Sequence, residues 1–369
     1  MKKIALAIHG GAGTILRSTM TPALEGEYRD GLEEALGVGW RILSSGGTAL
    51  DAVEQTVCSL EDFPLFNAGR GSVFTHEGKN EMDASIMDGR TLKAGAIAFV
   101  RNVRNPIKLA RLVMEKTPHV LLAADGANQF AKEMGVEFEP DEYFFTEHRW
   151  QQLLQAREEG VVQLDHAPDE GEHVAEEVSK SETRSRGAQE SEPGAVATGL
   201  HRVASAPRLK TETTNSDEQT RKENPKSKIQ NPKSLGTVGA VACDRDGNVA
   251  AATSTGGMTN KRFGRVGDTA LIGSGTFADN AACAISCTGY GEFFMRGVTA
   301  YDVAARMKYK GLDLEIAADE TLGRLTEIGG DGGFIAVDAH GNVVLPFNCE
   351  GMYRGYRTVK SSAVEIYRD

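Results

Sequence analysis

The sequence predicts an α+β protein in which antiparallel sheets and helices form separate, stacked layers. Strand-like segments come in pairs joined by tight turns, as in residues 237–257 with the turn DRDGN and residues 332–352 with the turn DAHGN. Helical patterns fall in separate runs of their own. Hairpins make antiparallel sheets, whereas a regular alternation of strands and helices would make a parallel one. A doubly wound parallel sheet is therefore not expected.

The first folded block, residues 1–157, opens with a strand followed by two helices. The run KIALAIHGGAG at residues 3–13 is apolar and ends in glycines, which is typical of a buried strand followed by a turn. A helical pattern follows at about residues 24–43 and stops at two glycines. Thr48 then has the side chain needed to cap a second helix, which we expect to end near Leu60.

The same block continues with a hairpin and further helices. Residues 82–100, MDASIMDGRTLKAGAIAFV, read as two strands around an Asp88-Gly89 turn. Asn105 and Pro106 predict the N-cap and the first residue of a helix. Helices are therefore expected at about residues 106–116, 127–134 and 148–158.

Residues 158–235 differ in composition from the rest of the chain. They contain no Phe, Trp or Tyr and are rich in Glu, Lys, Ser, Thr, Asn and Gln. Such a segment cannot bury enough apolar surface to offset the entropy lost on ordering. We therefore expect a disordered linker that divides one domain into two folded blocks, residues 1–157 and 237–369.

The second block contains two similar hairpins. They align at an offset of 94 residues, which pairs Asp244 with Asp338 and Gly247 with Gly341. An internal repeat and two independent hairpins of one turn type explain this likeness equally well. Between the hairpins we expect one strand and two helices, at residues 282–289, about 292–307 and about 312–325.

Composition argues against several classes of function. The net charge of −11 disfavours a nucleic-acid partner, which would call for a basic face. No apolar run approaches the length of a membrane span, and the run at residues 4–8 is too short for a signal peptide. The 5 cysteines form no CxxC pair and the 8 histidines show no metal-binding spacing. We expect a cytoplasmic protein with buried, reduced thiols, no membrane contact and no catalytic cofactor.

Two threonines are expected to meet at the open end of the first hairpin. Counting outward from the DRDGN turn places Thr237 opposite a residue between Ser254 and Gly256, a range that contains Thr255. Two hydroxyls would then face each other. The plainer alternative is that threonine is simply a common strand residue.

Thr237 also directly follows the expected linker, at the bond Gly236–Thr237. Glycine permits backbone conformations closed to other residues, so this bond can be held under strain. If it were cut, Thr237 would carry a free α-amine, which with a reference pKa near 8 can take the proton of its own hydroxyl. Nucleophile and base would then belong to one residue. No GxSxG motif is present, which weakens the alternative of HGGAG as a lipase-like oxyanion loop.

Two further segments could complete an amide hydrolase. In SCTGYGE, residues 286–292, the Thr288 hydroxyl and the Gly289 N–H could converge on an oxyanion, although an ordinary strand-to-helix turn has the same spacing. In NKRFGRVGD, residues 260–268, Arg265 could hold a carboxylate and Asp268 an ammonium group. A local ion pair between these two residues is the alternative.

Together these motifs resemble the plant-type (isoaspartyl) L-asparaginases, a family of N-terminal-nucleophile hydrolases. The resemblance runs in family order through nearly the whole chain outside the linker. It includes HGGAG (9–13), PLFNAGRGSVFT (64–75), MDASIMDG (82–89), LKAGAIA (92–98), GTVGAVA (236–242), GNVAAATSTGGMTNK (247–261), GRVGD (264–268), SCTGYGE (286–292), GGDGG (329–333) and FNCEGMYR (347–354).

The resemblance implies a four-layer αββα sandwich made as a precursor that cuts itself between Gly236 and Thr237. It implies an α chain of residues 1–236, a β chain of residues 237–369 and a homodimer of αβ units. Thr237 would be the nucleophile and Thr255 would orient it. The remaining implied groups are an oxyanion hole at Thr288 and Gly289, further substrate contacts at Arg265, Val266, Gly267, Asp268, Tyr290, Gly291 and Asn67, and a structural sodium ion on the backbone carbonyls of Leu60, Glu61, Phe63, Phe66, Ala68 and Arg70.

The family hydrolyses L-asparagine and β-aspartyl (isoaspartyl) dipeptides and releases aspartate. This chain departs from the family pattern in the length of the linker. It also has Tyr290, a large side chain, at a position of the binding turn that varies in the family, so the sequence does not determine which dipeptide is preferred. The nearest alternatives are a glycosylasparaginase-like hydrolase and a threonine aspartase, which use the same chemistry. A non-catalytic protein that keeps the fold is a third alternative.

Overall fold

The described part of the chain, residues 4–162 and 236–368 of a computed structural model, contains both helices and β-sheets. These residues belong to one compact unit. The expected linker lies outside the described residues from position 163 onward. The helices are α1 Pro22–Ser44, α2 Ala49–Asp62, α3 Pro106–Lys116, α4 Ala124–Glu133, α5 Asp141–Phe144, α6 Glu147–Glu159, α7 Gly291–Gly297, α8 Thr299–Lys310 and α9 Leu314–Glu327.

The strands form an eight-stranded and a four-stranded sheet within the described residues. Their order is β12-β11-β1-β5-β6-β2-β3-β4 in the larger sheet and β10-β9-β8-β7 in the smaller one, and every pair is antiparallel except β3 with β4. The strands are β1 Ala5–Gly13, β2 Met82–Asp88, β3 Ala94–Val100, β4 Leu121–Ala123, β5 Val238–Cys243, β6 Val249–Thr255, β7 Thr276–Ala278, β8 Cys283–Gly289, β9 Gly332–Asp338, β10 Val343–Val344, β11 Gly351–Thr358 and β12 Ser362–Tyr367. The predicted α+β class is therefore confirmed.

Three apolar cores hold these elements together. Strand β1 shows how: Leu6 and Ile8 belong to the core shared with α1, α2 and α3, whereas Ala5 and Ala7 belong to the core between the two sheets. Successive side chains of a strand point to opposite faces, so a strand buried on both faces reads as a continuous apolar run. A third core joins the smaller sheet to helices α7 to α9.

Helices α1, α2, α6 and α9 begin at a residue whose side chain caps them, whereas α3 does not. The side chains of Thr21 and Thr48 accept hydrogen bonds from the N–H groups of Leu24 and Asp51, which confirms the cap predicted for α2. Helix α3 does begin at the predicted proline, but the side chain of Asn105 does not cap it. The carboxylate of Glu61 accepts the N–H of Ile107 instead, because α2 places that buried side chain at the start of α3.

The two hairpins that align in the sequence have the same turn. Oδ1 of Asp244 accepts the N–H groups of the residues two and four positions on, and Asp338 makes the same pair of bonds in the second turn. Gly247 and Gly341 both have positive φ, at 81° and 77°. The loop itself requires aspartate at one position and glycine at the other, so turn chemistry accounts for the alignment without a duplicated unit.

The five cysteines are buried, and none forms a disulfide among the described residues, as expected for reduced thiols.

Helix α1 is the longest described helix but carries charged residues along its length. Across residues 4–162 and 236–368, no helix combines the length and apolar character needed to cross a bilayer.

Candidate active site

Thr237 and Thr255 lie opposite each other at the open end of the β5–β6 hairpin. Val238 pairs with Ser254, so the next pair outward is Thr237 with Thr255. The Thr237 hydroxyl donates to the Thr255 hydroxyl over 3.3 Å, and both residues are buried. Thr255 Oγ1 also accepts the N–H of Gly257 at 3.0 Å. The meeting of two hydroxyls predicted by counting along the hairpin is therefore present.

A pocket opens at this end of the hairpin and brings several predicted residues together. The sequence-predicted residues in its wall are Gly236, Thr237, Thr255, Arg265, Gly267, Asp268, Gly289 and Gly291. Gly257, Met258 and Thr269 complete the wall and were not predicted. Asn67, Val266, Thr288 and Tyr290 lie outside the lining.

Thr288 and Gly289 end strand β8 beside the pocket. The Thr288 hydroxyl is buried and has no hydrogen-bond partner among the described residues, although Thr288 is not part of the pocket lining. Gly289 has φ of +143°, and a Cβ there would lie 2.4 Å from the carbonyl oxygen of Asp331. Glycine is thus required where the strand bends into α7.

Arg265 is engaged by Glu292 and not by Asp268. Its Nε and Nη2 atoms each donate over 2.9 Å to one carboxylate oxygen of Glu292, in the bidentate arrangement that arginine favours. The predicted alternative of an Arg265–Asp268 ion pair is wrong as a contact, although Arg265 still lies close enough to affect the electrostatics of Asp268. Glu292 is a site residue that reasoning from the sequence missed.

Asp268 is a buried carboxyl group that lacks a full set of partners. Its Oδ2 atom has no hydrogen-bond partner among the described residues, and burial raises the pKa of this carboxyl group to about 7. Gly291 leaves room beside it, since a Cβ there would lie 2.8 Å from Asp268 Oδ1 and 3.0 Å from Arg265 Nη2. The carboxyl group and the guanidinium group therefore face one small space.

Asn67 supports the pocket from behind. Its Nδ2 donates to the Gly257 carbonyl at 2.8 Å, its Oδ1 accepts the N–H of Val73 at 3.0 Å and its carbonyl accepts the N–H of Gly256. These bonds tie the loop after α2 to the residues that follow Thr255.

Lys261 and Asp83 are charged, fully buried and next to the same strand end. The Lys261 ammonium group donates to the carbonyls of Glu81 and Gly256 at 2.7 and 2.9 Å. Asp83 pairs with Thr255 across β2 and β6, and burial raises its pKa. Both residues occur in the sequence motifs quoted above, but a motif does not show which of its members point inward.

The six carbonyls expected to hold sodium belong to the last turn of α2 and to the loop that follows it. Those of Leu60, Phe63, Phe66 and Ala68 each accept a backbone N–H over 3.0 to 3.4 Å. Among the residues the structure describes, no group of three or more His, Cys, Asp or Glu side chains is placed to hold a metal ion.

Comparison with known proteins identifies the class. The asparaginase family model matches residues 2–366, so the chain belongs to the asparaginase family, as the motifs indicated. The chain is 44% identical over 357 residues to the isoaspartyl peptidase of Escherichia coli (strain K12), covering 96% of this chain and 93% of that protein. It is 46% identical to the putative isoaspartyl peptidase/L-asparaginase of Dictyostelium discoideum over 368 residues, covering 100% and 97%. The isoaspartyl peptidase/L-asparaginase of Homo sapiens is 38% identical over 353 residues, covering 95% and 92%.

Proposed function

We propose that this protein hydrolyses the side-chain amide of L-asparagine and the isopeptide bond of β-aspartyl dipeptides. The observation that carries the proposal is the pocket itself, in which paired threonine hydroxyls face a buried carboxyl group and an arginine. Both substrates carry an amide on an aspartyl side chain together with a free α-amine and α-carboxylate. The names of the relatives support the same reaction class.

The protein must first free the α-amine of Thr237. In our proposal the Thr237 hydroxyl attacks the Gly236 carbonyl carbon, a C–O bond forms and the C–N bond breaks. The nitrogen takes up the hydroxyl proton and becomes the α-amine. Water then hydrolyses the resulting ester, which leaves residues 1–236 and 237–369 as separate chains.

Substrate hydrolysis uses the same hydroxyl. The α-amine of Thr237 accepts the proton while Oγ1 attacks the side-chain carbonyl of the substrate. The Thr288 hydroxyl and the Gly289 N–H donate to the oxyanion, and Thr255 orients the nucleophile. Ammonia or the amino acid leaves with a proton from the amine. Water activated by that amine then cleaves the β-aspartyl ester and releases aspartate.

Arg265 and Asp268 hold the substrate's α-groups in this scheme. A guanidinium group binds a carboxylate bidentately, and a buried carboxylate binds an ammonium group strongly. Because Arg265 is paired with Glu292, substrate must exchange its own carboxylate for that of Glu292 or share the guanidinium group. Gly267 and Gly291 line the same pocket as these two charged residues. We assign Val266 and Tyr290, which are their neighbours in the chain, to substrate contacts outside that lining.

We also propose the αββα sandwich of the N-terminal-nucleophile hydrolases for the fold. It is supported by the separate cores that flank and divide the two sheets. The homodimer of αβ units and the cytoplasmic location stay predictions from the sequence.

A structural sodium ion at the end of α2 and the loop after it is part of the proposal. Carbonyl oxygens are the ligands that hard cations prefer, and Gly69, with φ of +50°, turns the chain tightly against the Glu61 carbonyl. Leu60, Glu61, Phe63, Phe66, Ala68 and Arg70 would hold the ion, which would stiffen the loop that carries Asn67. Exchange of NaCl for KCl at equal ionic strength should then lower the melting temperature.

Purification tests the proposed reaction directly. The protein should yield two bands on a denaturing gel, with the smaller beginning at Thr237 by mass spectrometry, and should release aspartate from L-asparagine and β-Asp-Leu. Thr237→Ala should stay uncut and inactive. A wild-type chain that stays intact and inert would favour the non-catalytic alternative, and turnover of glycosylated asparagine alone would favour a glycosylasparaginase-like enzyme.

A further inference from the structure

A row of polar side chains crosses the otherwise apolar core between the two sheets. In the larger sheet the register aligns one residue from each of four neighbouring strands, β1, β5, β6 and β2, and in the smaller sheet two cross-strand partners face them. Apart from the glycine among them, these are polar residues with no exposed surface. The row consists of His9, Gly239, Thr253, Ser85, Ser286 and Thr276.

These side chains form one continuous hydrogen-bonded chain that starts at the carbonyl of Thr237. The ring of His9 joins that carbonyl to the hydroxyls, and the far end is the carbonyl of Thr269. The Thr253 and Thr276 hydroxyls also contact each other. The other contacts are His9 Nδ1 to Thr237 O at 2.9 Å, His9 Nε2 to Ser286 Oγ at 2.8 Å, Ser286 Oγ to Thr253 Oγ1 at 2.7 Å, Thr276 Oγ1 to Ser85 Oγ at 2.8 Å and Ser85 Oγ to Thr269 O at 2.6 Å.

Gly239 makes room for the contact on which the chain depends. A Cβ at this position would lie 2.0 Å from Ser286 Oγ and 2.4 Å from His9 Nε2. Any side chain would therefore separate the ring from the hydroxyl. This explains the second glycine of the GTVG segment, which neither a turn nor a positive φ requires.

The groups at the two ends of this hydrogen-bonded chain limit the directions in which its members can donate. Two backbone carbonyls terminate it and can only accept, so every contact needs a proton from His9 or from one of the four hydroxyls. Neutral His9 and those hydroxyls carry five protons for six contacts. Burial lowers the pKa of His9 to about 3, so the ring stays neutral at physiological pH. One contact therefore always lacks a proton, and the tautomer of His9 depends on which way Ser286 donates.

We infer that His9 is a positioning residue for the nucleophile and that Ser286 sets its ring orientation and tautomer. The inference rests on the proposed function, because it concerns Thr237 once that residue has become an N-terminus. The free terminus has lost its bond to Gly236, so two torsions of Thr237 then decide where its amine and hydroxyl point. Anchoring the carbonyl with the Nδ1–H of His9 restricts one of these torsions.

Three variants separate this role from a general loss of buried hydrogen bonding. His9→Gln keeps a donor for the carbonyl and an acceptor for Ser286, whereas His9→Met keeps neither. Ser286→Ala leaves the ring in place but removes the bond that orients it. Thr321→Val is the control, because it removes another buried hydroxyl in the remote helix α9, one that donates to Asp302.

Steady-state kinetics on L-asparagine should distinguish the variants. We expect His9→Met to lower kcat about tenfold or more while KM changes by less than about twofold, since the clamp on the substrate is untouched. The kcat of Ser286→Ala should lie between those of the wild type and His9→Met, and His9→Gln should retain most of the wild-type kcat. Thr321→Val should match the wild type in kcat, whatever it loses in melting temperature.

The pH profile of kcat/KM provides a second test. If His9 had only a structural role, its substitution would not change the pH at which kcat/KM falls on the acidic side, the acid limb of the profile. A donor on the Thr237 carbonyl draws electron density from the α-amine, so His9→Met should move this limb to higher pH. The charged groups around the pocket are common to all variants and cannot cause the shift. They are Glu61, Asp83, Lys261, Arg265, Asp268 and Glu292.

Two results would overturn the inference while leaving the proposed function intact. One is an active wild type with His9→Met and Ser286→Ala indistinguishable from Thr321→Val in kcat and in the acid limb. The other, independent of activity, comes from NMR of histidine labelled with ¹⁵N. An exchange-protected Nδ1–H signal that disappears in His9→Gln supports the bond to Thr237, and its absence from the wild type refutes it. A wild type that neither cuts itself nor hydrolyses substrate would instead overturn the proposed function.

Discussion

At the scale of single residues, the site depends on charges that the fold buries without complete pairing. The Asp268 carboxyl group has an Oδ2 atom without a partner among the described residues, while the Arg265 guanidinium group is already paired with Glu292. A buried carboxylate is costly unless something neutralises it. An incoming ammonium group would supply that partner. The unpartnered Oδ2 atom therefore supports the assignment of Asp268 as a substrate-binding residue.

Substitution of Asp268 should therefore weaken substrate binding. Asp268→Asn is expected to lower kcat/KM for L-asparagine about 10- to 100-fold, mainly through KM, because one hydrogen-bonded charge pair is lost. Asp279→Asn is the control, since that buried carboxyl group pairs with Lys308 away from the pocket. Equal losses in the two variants would contradict a clamp at Asp268.

The same substitution should stabilise the free protein, and more so at higher pH. Burial raises the pKa of Asp268 from 3.8 to about 7, so folding opposes its ionisation and stability is lost as the pH rises between these values. Asp268→Asn removes that loss. Its melting temperature should exceed that of the wild type by more at pH 8 than at pH 4.5, as measured by differential scanning calorimetry. A gain in melting temperature that did not depend on pH would contradict its assignment to the ionisation of Asp268.

At the scale of elements, the turn between β8 and α7 determines the shape of the pocket. Gly289 bends the chain at a positive φ, and Gly291 begins α7 where any side chain would press on Asp268 and Arg265. The end of the strand was predictable from its glycines. The need for glycine at position 291 was not predictable, because it depends on Arg265 and Asp268, which lie more than twenty residues away in the sequence.

Alanine at Gly291 should therefore block the site without unfolding the protein. Gly291→Ala is expected to lower kcat/KM at least about tenfold, since its Cβ would displace the charged groups of the clamp. Gly323→Ala in α9 is the control, because nothing lies within 4 Å of a Cβ there. Kinetics combined with thermal denaturation of both variants checks the expectation, and an active Gly291→Ala would refute it.

At the scale of the whole molecule, the two halves of the chain are interleaved in one sheet. Strand β1 from the first half lies between β11 and β5 from the second, and β2 of the first half pairs with β6 of the second. The apolar core on α1 to α3 likewise contains residues of both halves. Cutting the chain before Thr237 would leave these pairings unchanged.

The two fragments should consequently behave as one folded unit. After self-cleavage they are expected to co-elute in size-exclusion chromatography and to unfold in a single transition, because separation would break the β1–β5 and β2–β6 pairs. The uncut Thr237→Ala variant should elute at the same volume. Fragments that separate in native buffer would contradict this interleaving.

Much of the fold followed from local pattern, because caps, turns and alternation depend on neighbouring residues. Thr48 was identifiable as a helix cap, and the DRDGN turn was sufficient to bring Thr237 opposite Thr255. Asn105 was misassigned as a side-chain cap, because the residue that caps α3 comes from another helix. Strand β12 and its pairing with β11 were not foreseen, since no turn signal was recognised between them.

The sequence by itself therefore determined the α+β class, the hairpin that joins the two threonines and the family. These features are written in short segments whose order and spacing are visible along the chain. Only the tertiary structure decided that Arg265 meets Glu292, that Asp268 keeps an unpartnered oxygen and that His9 holds the carbonyl of Thr237. Side chains far apart in the chain become neighbours only when sheets and loops pack, and burial then alters their charge and hydrogen bonding in ways that no local pattern records.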